Sequence, residues 1–195
     1  MSVRQSLLAI LDQGPCYGYQ LRAEFARRTG SSWPLNVGQI YNTLDRLERD
    51  GLVAKGEIDA EGHVYYRITD AGSTEVATWL AAPVERGPAS RNELAVKVAV
   101  AATLPGVDLG ALLQEQRRAS LARHDALIRT TDAASPGEPE ELARAIVADA
   151  MILQAQAELR WLDLVEERLA RHPERAIALE LATDRPKRGR PARAA

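Results

Sequence analysis

The segment 36–53, Asn-Val-Gly-Gln-Ile-Tyr-Asn-Thr-Leu-Asp-Arg-Leu-Glu-Arg-Asp-Gly-Leu-Val, constrains the fold of this chain more than any other stretch. Ile40, Leu44 and Leu47 fall at i, i+4 and i+7, which places them on one stripe of a helix. Gln39, Asn42, Thr43, Arg46 and Arg49 lie away from that stripe, and Gly51 stops the helix ahead of a strand. A short helix that packs by one edge and offers Gln, Asn and Arg on the other suits a DNA major groove. There a guanidinium pairs with guanine and a carboxamide with adenine. Arg46 is the candidate for guanine, and Asn42 or Gln39 for adenine. The competing reading is a solvated face with Arg46 paired to Asp45 or Asp50.

The flanks extend this into a winged helix-turn-helix over residues 7–68. Leu7-Leu8-Ala9-Ile10-Leu11 is an apolar run closed by Gly14-Pro15, which predicts a helix over 2–13. Leu21 and Phe25 are i, i+4 partners and Gly30 fits a C-terminal stop, so a second helix is expected over 17–30. Residues 52–59 and 64–68 flank Ala60-Glu61-Gly62-His63 and read as a hairpin, the wing. Thr69 then caps a fourth helix reaching residue 82. Tyr17, Tyr19 and Gln20 open the second helix, where hydroxyls and N–H groups commonly meet phosphate; either tyrosine suits a core equally. Tyr41 can pack its ring and direct its hydroxyl outward to phosphate. Lys55, His63 and Arg67 belong to the wing, with His63 at the turn either touching DNA or standing idle.

Three runs carry a family resemblance: Gly14-Pro15-Cys16-Tyr17-Gly18-Tyr19-Gln20-Leu21, then 38–53, then Tyr66-Arg67-Ile68-Thr69-Asp70-Ala71-Gly72. In order and spacing they resemble the PadR family of bacterial transcriptional regulators, over nearly all of residues 5–80. Residues 92–101, Asn-Glu-Leu-Ala-Val-Lys-Val-Ala-Val-Ala, are similar to the start of that family's helical C-terminal domain, and the chain length matches the subgroup in which that domain is extended. The resemblance implies a homodimeric repressor of double-stranded DNA, released in some members by a small molecule such as a phenolic acid. Cys16-Tyr17 departs from the pair that many relatives carry.

Charge sits awkwardly with DNA binding. The chain has a net charge of −2, and residues 1–82 hold 8 Lys and Arg against 10 Asp and Glu. A nucleic-acid binder is expected to show a basic footprint. Local clustering of Arg22, Arg27, Arg28, Arg46, Arg49, Lys55 and Arg67 on one face would supply it. The C-terminal stretch 185–193 shifts the balance with 5 basic residues and no acidic one. Its Arg188-Gly189-Arg190-Pro191 core resembles an AT-hook, whose arginines enter a narrow A·T minor groove and whose glycine avoids the groove floor. A solubilising basic end is the plainer alternative.

Residues 83–91 are rich in Pro, Gly and small side chains and read as a hinge. Helices are expected over 92–103, 109–131 and 140–171, with a linker at 130–139 and a Ser135-x-x-Glu138 capping box. The last helix would span nearly 50 Å at ~1.5 Å per residue. Its apolar residues are too broadly spread for one small neighbour, which points to burial against both its own domain (92–182) and a second subunit. A monomeric three-helix bundle is the alternative. Among Trp33, Trp79 and Trp161, the last lies mid-helix beside the expected dimer seam. The resemblance makes it the candidate platform for a small aromatic effector.

Other function classes fare poorly. His63, His124 and His172 are far apart and lack metal-ligand spacing. Cys16 has no histidine or second cysteine near it and reads as a small core residue. Phosphate-loop, Gly-x-Ser-x-Gly and dinucleotide fingerprints are missing, so neither an enzyme nor a cofactor is expected. One cysteine suits a reducing cytosol, no run suits a membrane span, and Met1-Ser2-Val3-Arg4 does not read as a signal peptide, so the expected location is the cytoplasm. The expected fold is mainly α: a winged helix-turn-helix DNA-binding domain (1–82), the hinge (83–91), a helical dimerisation domain (92–182) and a basic tail (183–195). The rival from another class is a winged-helix protein-interaction module without sequence-specific DNA binding.

Overall fold

The structure, a computed structural model, describes residues 2–85, 93–132, 139–171 and 179–182. The described elements are α1 (Ser2–Leu11), β1 (Cys16–Tyr17), α2 (Gly18–Arg28), α3 (Val37–Arg49), β2 (Val53–Ile58), β3 (Val64–Ile68), α4 (Asp70–Ala81), α5 (Glu93–Ala101), α6 (Leu109–Asp132) and α7 (Pro139–Arg171). They fall into two compact units. The first holds α1 to α5 with residues 179–182, and the second holds α6 and α7.

In the first unit α1 is the central post. Leu7, Leu8, Ala9, Ile10 and Leu11 are all buried, because α2, α4, α5 and β3 pack around it. A helix buried on most sides needs no polar face, which is why its sequence is a continuous apolar run. Leu21 and Phe25 from α2, Ile40, Leu44 and Leu47 from α3, and Val53, Tyr66 and Val76 complete one core. Fully burying each such aliphatic or aromatic side chain contributes about 1.5–3 kcal/mol.

The sheet has the order β1-β3-β2, all antiparallel. Cys16 pairs with Tyr66 and Tyr17 with Tyr65, so Tyr17, expected to open the second helix, instead joins Cys16 in a short edge strand. Two residues carry no readable period of 2, which hid this strand. Across the wing, Val53 pairs with Ile68 and Lys55 with Tyr66, followed by a bulge before Ile58 meets Val64. Gly62, at φ +80°, makes the turn.

The remaining boundaries follow local chemistry. Asn36 and Gln39 form a reciprocal capping box at the start of α3. Thr69 caps α4 by accepting from the Gly72 N–H at 3.1 Å. A Cβ on Gly72 would lie 2.3 Å from the Leu52 carbonyl oxygen and 2.6 Å from Ile68 Cγ1, so only glycine lets α4 seat on the sheet. The helix α5 packs against α1 rather than with α6 and α7, so the first unit extends past the hinge expected at 83–91. Val96 and Val100 insert into the winged-helix core, which the largely apolar sequence of α5 permits. Most of the hinge and the Ser135-x-x-Glu138 box lie outside the described residues.

The second unit is an antiparallel hairpin of α6 and α7. Leu112 and Leu113 of α6, with Ala155 and Leu162 of α7, are buried between the helices. Buried among them, the Ser120 hydroxyl donates to Glu158 Oε1 at 2.5 Å and Gln116 Nε2 donates to the same oxygen at 3.3 Å. Arg117 bridges to Asp163 at 2.6 Å and Glu166 at 2.8 Å near the hairpin's end, which fixes the register of the two helices.

Candidate nucleic-acid interface

The inner edge of α3 is closed: Ile40, Leu44 and Leu47 are each 0% exposed. Its outer edge divides into residues that are engaged and residues that are not. Gln39 is engaged: its Oε1 accepts from the Asn36 N–H at 3.0 Å while its own N–H donates to Asn36 Oδ1 at 2.8 Å. Asn36-x-x-Gln39 is a capping signature as much as a reading head, so this carboxamide first serves the helix end. The Thr43 hydroxyl donates to the Gln39 carbonyl at 2.7 Å, lying back along the helix. Arg49 pairs with Asp50 at 2.8 Å, and Arg4 reaches Asp50 at 3.2 Å. These two arginines hold the Asp50 carboxyl below its ordinary range. With Asp50 occupied, Arg46 has no hydrogen-bond or ion-pair partner among the described residues. Asn42 is likewise exposed and without a partner among them.

The start of α2 abuts this helix. A Cβ on Gly18 would fall 2.7 Å from Tyr41 Cζ, so the absence of a side chain lets the Tyr41 ring lie across the helix start. Tyr41 is thus half-buried with its ring packed, as expected. Tyr19 and Gln20 are half-buried at the surface, and Gln20 Nε2 donates to the Ala182 carbonyl at 3.4 Å. Tyr17 is different. At 1% exposed it belongs to the core, stacked on the His63 ring at 4.4 Å and edge-on to Tyr65 at 5.4 Å. Its side chain does not face outward, which corrects the expectation of a DNA contact.

The wing is more tightly tied than its composition suggested. His63 is neither idle nor projecting: its side chain is 13% exposed, and Nδ1 lies 3.1 Å from Asp59 Oδ2. Asp59 Oδ1 accepts the backbone N–H groups of His63 and Glu61, each at 2.9 Å. Those contacts, led by the His63 N–H, hold the Asp59 carboxyl below its usual range. Oxygens of Asp59 and Glu61 come within 4.8 Å of the imidazole nitrogen, but the turn's own hydrogen bonds account for that convergence. Lys55 bridges to Glu48 at 2.7 Å, which raises its ammonium above the ordinary value, so it braces β2 to α3. Arg67 is exposed and has no ion-pair partner among the described residues.

The expected cluster of seven basic residues is therefore thinner than its count. Arg28 is 4% exposed and donates inward to Gln13, Glu24, Thr103 and Leu179. Arg27 pairs with Glu24 at 2.8 Å, and Arg22 Nε donates to the Leu35 carbonyl at 2.7 Å. Arg46 and Arg67 remain as exposed guanidiniums without partners among the described residues, with Asn42 beside the first. Cys16 is fully buried, and burial with the nearby Glu24 pushes its thiol up to about 12, so it is not a nucleophile.

Residues 7–78 match the family described as transcriptional regulator PadR-like. Residues 7–78 form a PadR-like domain. An extra C-terminal region follows the PadR-like domain, and residues 90–170 match the family described as virulence activator alpha C-term. A probable transcriptional regulator of Mycobacterium tuberculosis is 28% identical over 189 residues, covering 87% of this chain and 98% of its own. Bacillus subtilis PadR, solved in complex with operator DNA, is 19% identical with a TM-score of 0.39, covering 84% of this chain and 95% of its own. The Vibrio cholerae virulence activator AphA is 21% identical with a TM-score of 0.37, covering 87% and 99%. PadR-like proteins are transcription regulators rather than an enzyme family. No helix among the described residues of this PadR-like chain is long and apolar enough to cross a membrane.

In the PadR-like chain's second unit, Trp161 is half-buried on α7, outside the winged-helix core that holds Trp33 and Trp79. Arg188 and Arg190 lie outside the described residues.

Proposed function

We propose that this protein is a cytoplasmic homodimeric repressor that binds an inverted-repeat operator. In this reading Arg46 and Asn42 meet base edges in the major groove, with Thr43 and Gln39 beside them. Tyr19, Gln20 and Tyr41 meet phosphate, and Arg67 follows the backbone from the wing. Lys55 contributes by holding the wing against α3. The observation that carries the reading is the outer edge of α3. Here an exposed guanidinium and an exposed carboxamide stand without partners among the described residues, on a helix whose other edge is fully buried. Side chains of those types, rigidly based and uncommitted, are what bidentate readout of guanine and adenine requires.

The dimer is supported by α7. At about 100° per residue, Leu142, Ile146, Leu153 and Leu164 lie within about 40° of one another. They are 66, 62, 64 and 48% exposed, while Ala155, Glu158 and Leu162 on the opposite side are buried against α6. A long apolar row opposite an already packed face fits a second copy of the same helix. A two-fold pair would set two copies of α3 about one helical turn of DNA apart, hence an inverted repeat. Trp161 sits between the buried and exposed faces of α7, where a small aromatic acid docking on its ring would alter the dimer seam and the spacing of the reading heads.

Selection of bound duplexes from random DNA by the purified protein tests the reading. An enriched inverted repeat whose binding falls with Arg46→Ala is the expected result. No enrichment would overturn it in favour of a protein-interaction module.

A further inference from the structure

The described residues 179–182 do not continue the helical hairpin. They run back along α2 in the winged unit. The Leu179 N–H donates to the Thr103 carbonyl at 2.8 Å, and Arg28 Nη2 donates to the Leu179 carbonyl at 2.8 Å. Arg27 donates to the Glu180 carbonyl. The Ala182 N–H donates to Glu24 Oε1 at 2.9 Å, and Gln20 Nε2 donates to the Ala182 carbonyl at 3.4 Å. Leu181 is half-buried on the winged-helix core, where a Cβ at Gly14 would lie 3.2 Å from its Cδ1. This strap therefore holds one face of α2 from its last turn to its first.

The face that it holds is charged. Glu24 and Arg28 are 1% and 4% exposed. Burying two charges is costly unless hydrogen bonds satisfy them. Arg28 donates to Gln13, Glu24 and Thr103, and the strap adds one further bond to each member of the pair. With the strap away, both groups lose a partner and must draw water onto a buried face, which loosens the seat of α2. The start of α2 bears directly on α3, since Gly18 lies under the Tyr41 ring and an added Cβ would fall 2.7 Å from its Cζ. A shift of α2 is thus felt by the helix that carries Arg46 and Asn42.

Docking is also close to balance. Five hydrogen bonds and one half-buried leucine stand against the entropy of fixing four residues, and the two are of similar size. A segment held this way opens locally, without unfolding the unit beneath it. We propose that the strap is a positioning latch for DNA reading: docked, it sets α2 against α3 in the arrangement that binds the operator, and undocked, it releases that arrangement. The latch deepens the operator reading above and rests on it. Coupling between two such equilibria is reciprocal, so operator DNA favours docking by the factor by which docking favours DNA.

The test uses the full chain and its selected operator. Leu181→Asp sets a carboxylate against the core and undocks the strap. It is expected to weaken operator binding about tenfold by fluorescence anisotropy, with helicity by circular dichroism unchanged. Glu180→Ala alters an exposed side chain and leaves the backbone contacts, so it should stay within about twofold of the parent. The second measurement is amide hydrogen exchange on the unaltered chain. Leu179 and Ala182 exchange through local undocking, so operator should slow both about tenfold, matching the loss in Leu181→Asp. Operator that leaves these two amides unchanged would overturn the latch even if Leu181→Asp binds weakly, because the strap would then be structural only. Leu181→Asp binding as tightly as the parent would overturn it too. If Leu181→Asp loses helicity, the exchange measurement alone decides. If the parent chain binds no selected duplex, the operator reading falls and this proposal with it; if it binds and neither measurement responds, this proposal falls alone.

Discussion

Arg46 and Arg28 show what one arginine can do in two settings. Arg28 is buried and spends its guanidinium on Gln13, Glu24, Thr103 and Leu179, so it organises the unit and cannot meet DNA. Arg46 is exposed and has no ion-pair partner among the described residues, and Asp50, an acid that could hold it, is taken by Arg49 and Arg4. Arg46→Ala should therefore leave stability within about 0.5 kcal/mol of the parent while weakening operator binding by about 1–3 kcal/mol per half-site. Anisotropy on the selected operator, alongside urea denaturation, separates the two effects, and a loss of stability equal to the loss of binding would sink the assignment. Lys97 gives a second residue-scale expectation. It is 1% exposed, its ammonium donates to the Ala82 carbonyl at the end of α4, and it lies 5.5 Å from the Trp79 ring centroid. Burial pushes it down to about 8 from 10.5, with Glu93 opposing in part. Below pH 8 both folded and unfolded chains hold this proton, and above 10.5 neither does. Between those values the unfolded chain holds more of it, so stability rises with pH across the window. At about 1.4 kcal/mol per unit, the rise approaches ~3 kcal/mol. Lys97→Met should abolish it, and denaturation curves for both proteins across that window would show a difference that changes with pH; a constant difference would refute the burial argument.

Elements were legible wherever a pattern repeats over several turns or a cap names an end. The helix α3 declared itself through Ile40, Leu44 and Leu47 and through the glycine that follows it, and α4 through Thr69. The edge strand β1 did not, since its two residues pair with β3 only once the chain has folded. The strap at 179–182 was equally hidden: its partners Gln20, Glu24, Arg27 and Arg28 lie some 150 positions away, and no local rule links them. At the site, residue types were readable but their commitments were not. Asn36-x-x-Gln39 and Asp59-x-x-x-His63 are both visible as capping and turn chemistry, yet only the folded geometry shows those bonds made and the side chains occupied. The long helix α7 carries its own expectation. Four exposed apolar residues in one row, opposite a packed face, should be covered by a second copy, so Ile146→Glu with Leu153→Glu is expected to give monomers. The exposed positions make little contact within the hairpin, so helicity should survive. Sedimentation velocity beside circular dichroism checks this, and a dimer that persists in the double variant would move the interface to another surface.

At the scale of the whole molecule, the charge deficit noted in the sequence becomes a statement about how the protein finds its site. The net charge is −2, and in the winged unit most basic side chains are already paired: Arg4 with Asp50, Arg27 with Glu24, Arg49 with Asp50 and Lys55 with Glu48. Arg46 and Arg67 are left as exposed guanidiniums without partners among the described residues. Of these two, Arg67 is the one set against phosphate, so a dimer would displace about two counterions through them, and the logarithm of affinity should fall with the logarithm of salt at a slope near −2 once Arg188 and Arg190 are replaced by alanine. Nonspecific binding, which depends on that same term, should be weak, leaving discrimination to base contacts and groove shape. The full chain should show a steeper slope, by an amount that reports how many phosphates the basic segment neutralises. Affinity measured across a salt series for both proteins provides the check. A slope beyond about −8 in the tail variant would require phosphate contacts from residues that the fold shows to be paired, and would mean that DNA rearranges those ion pairs on binding.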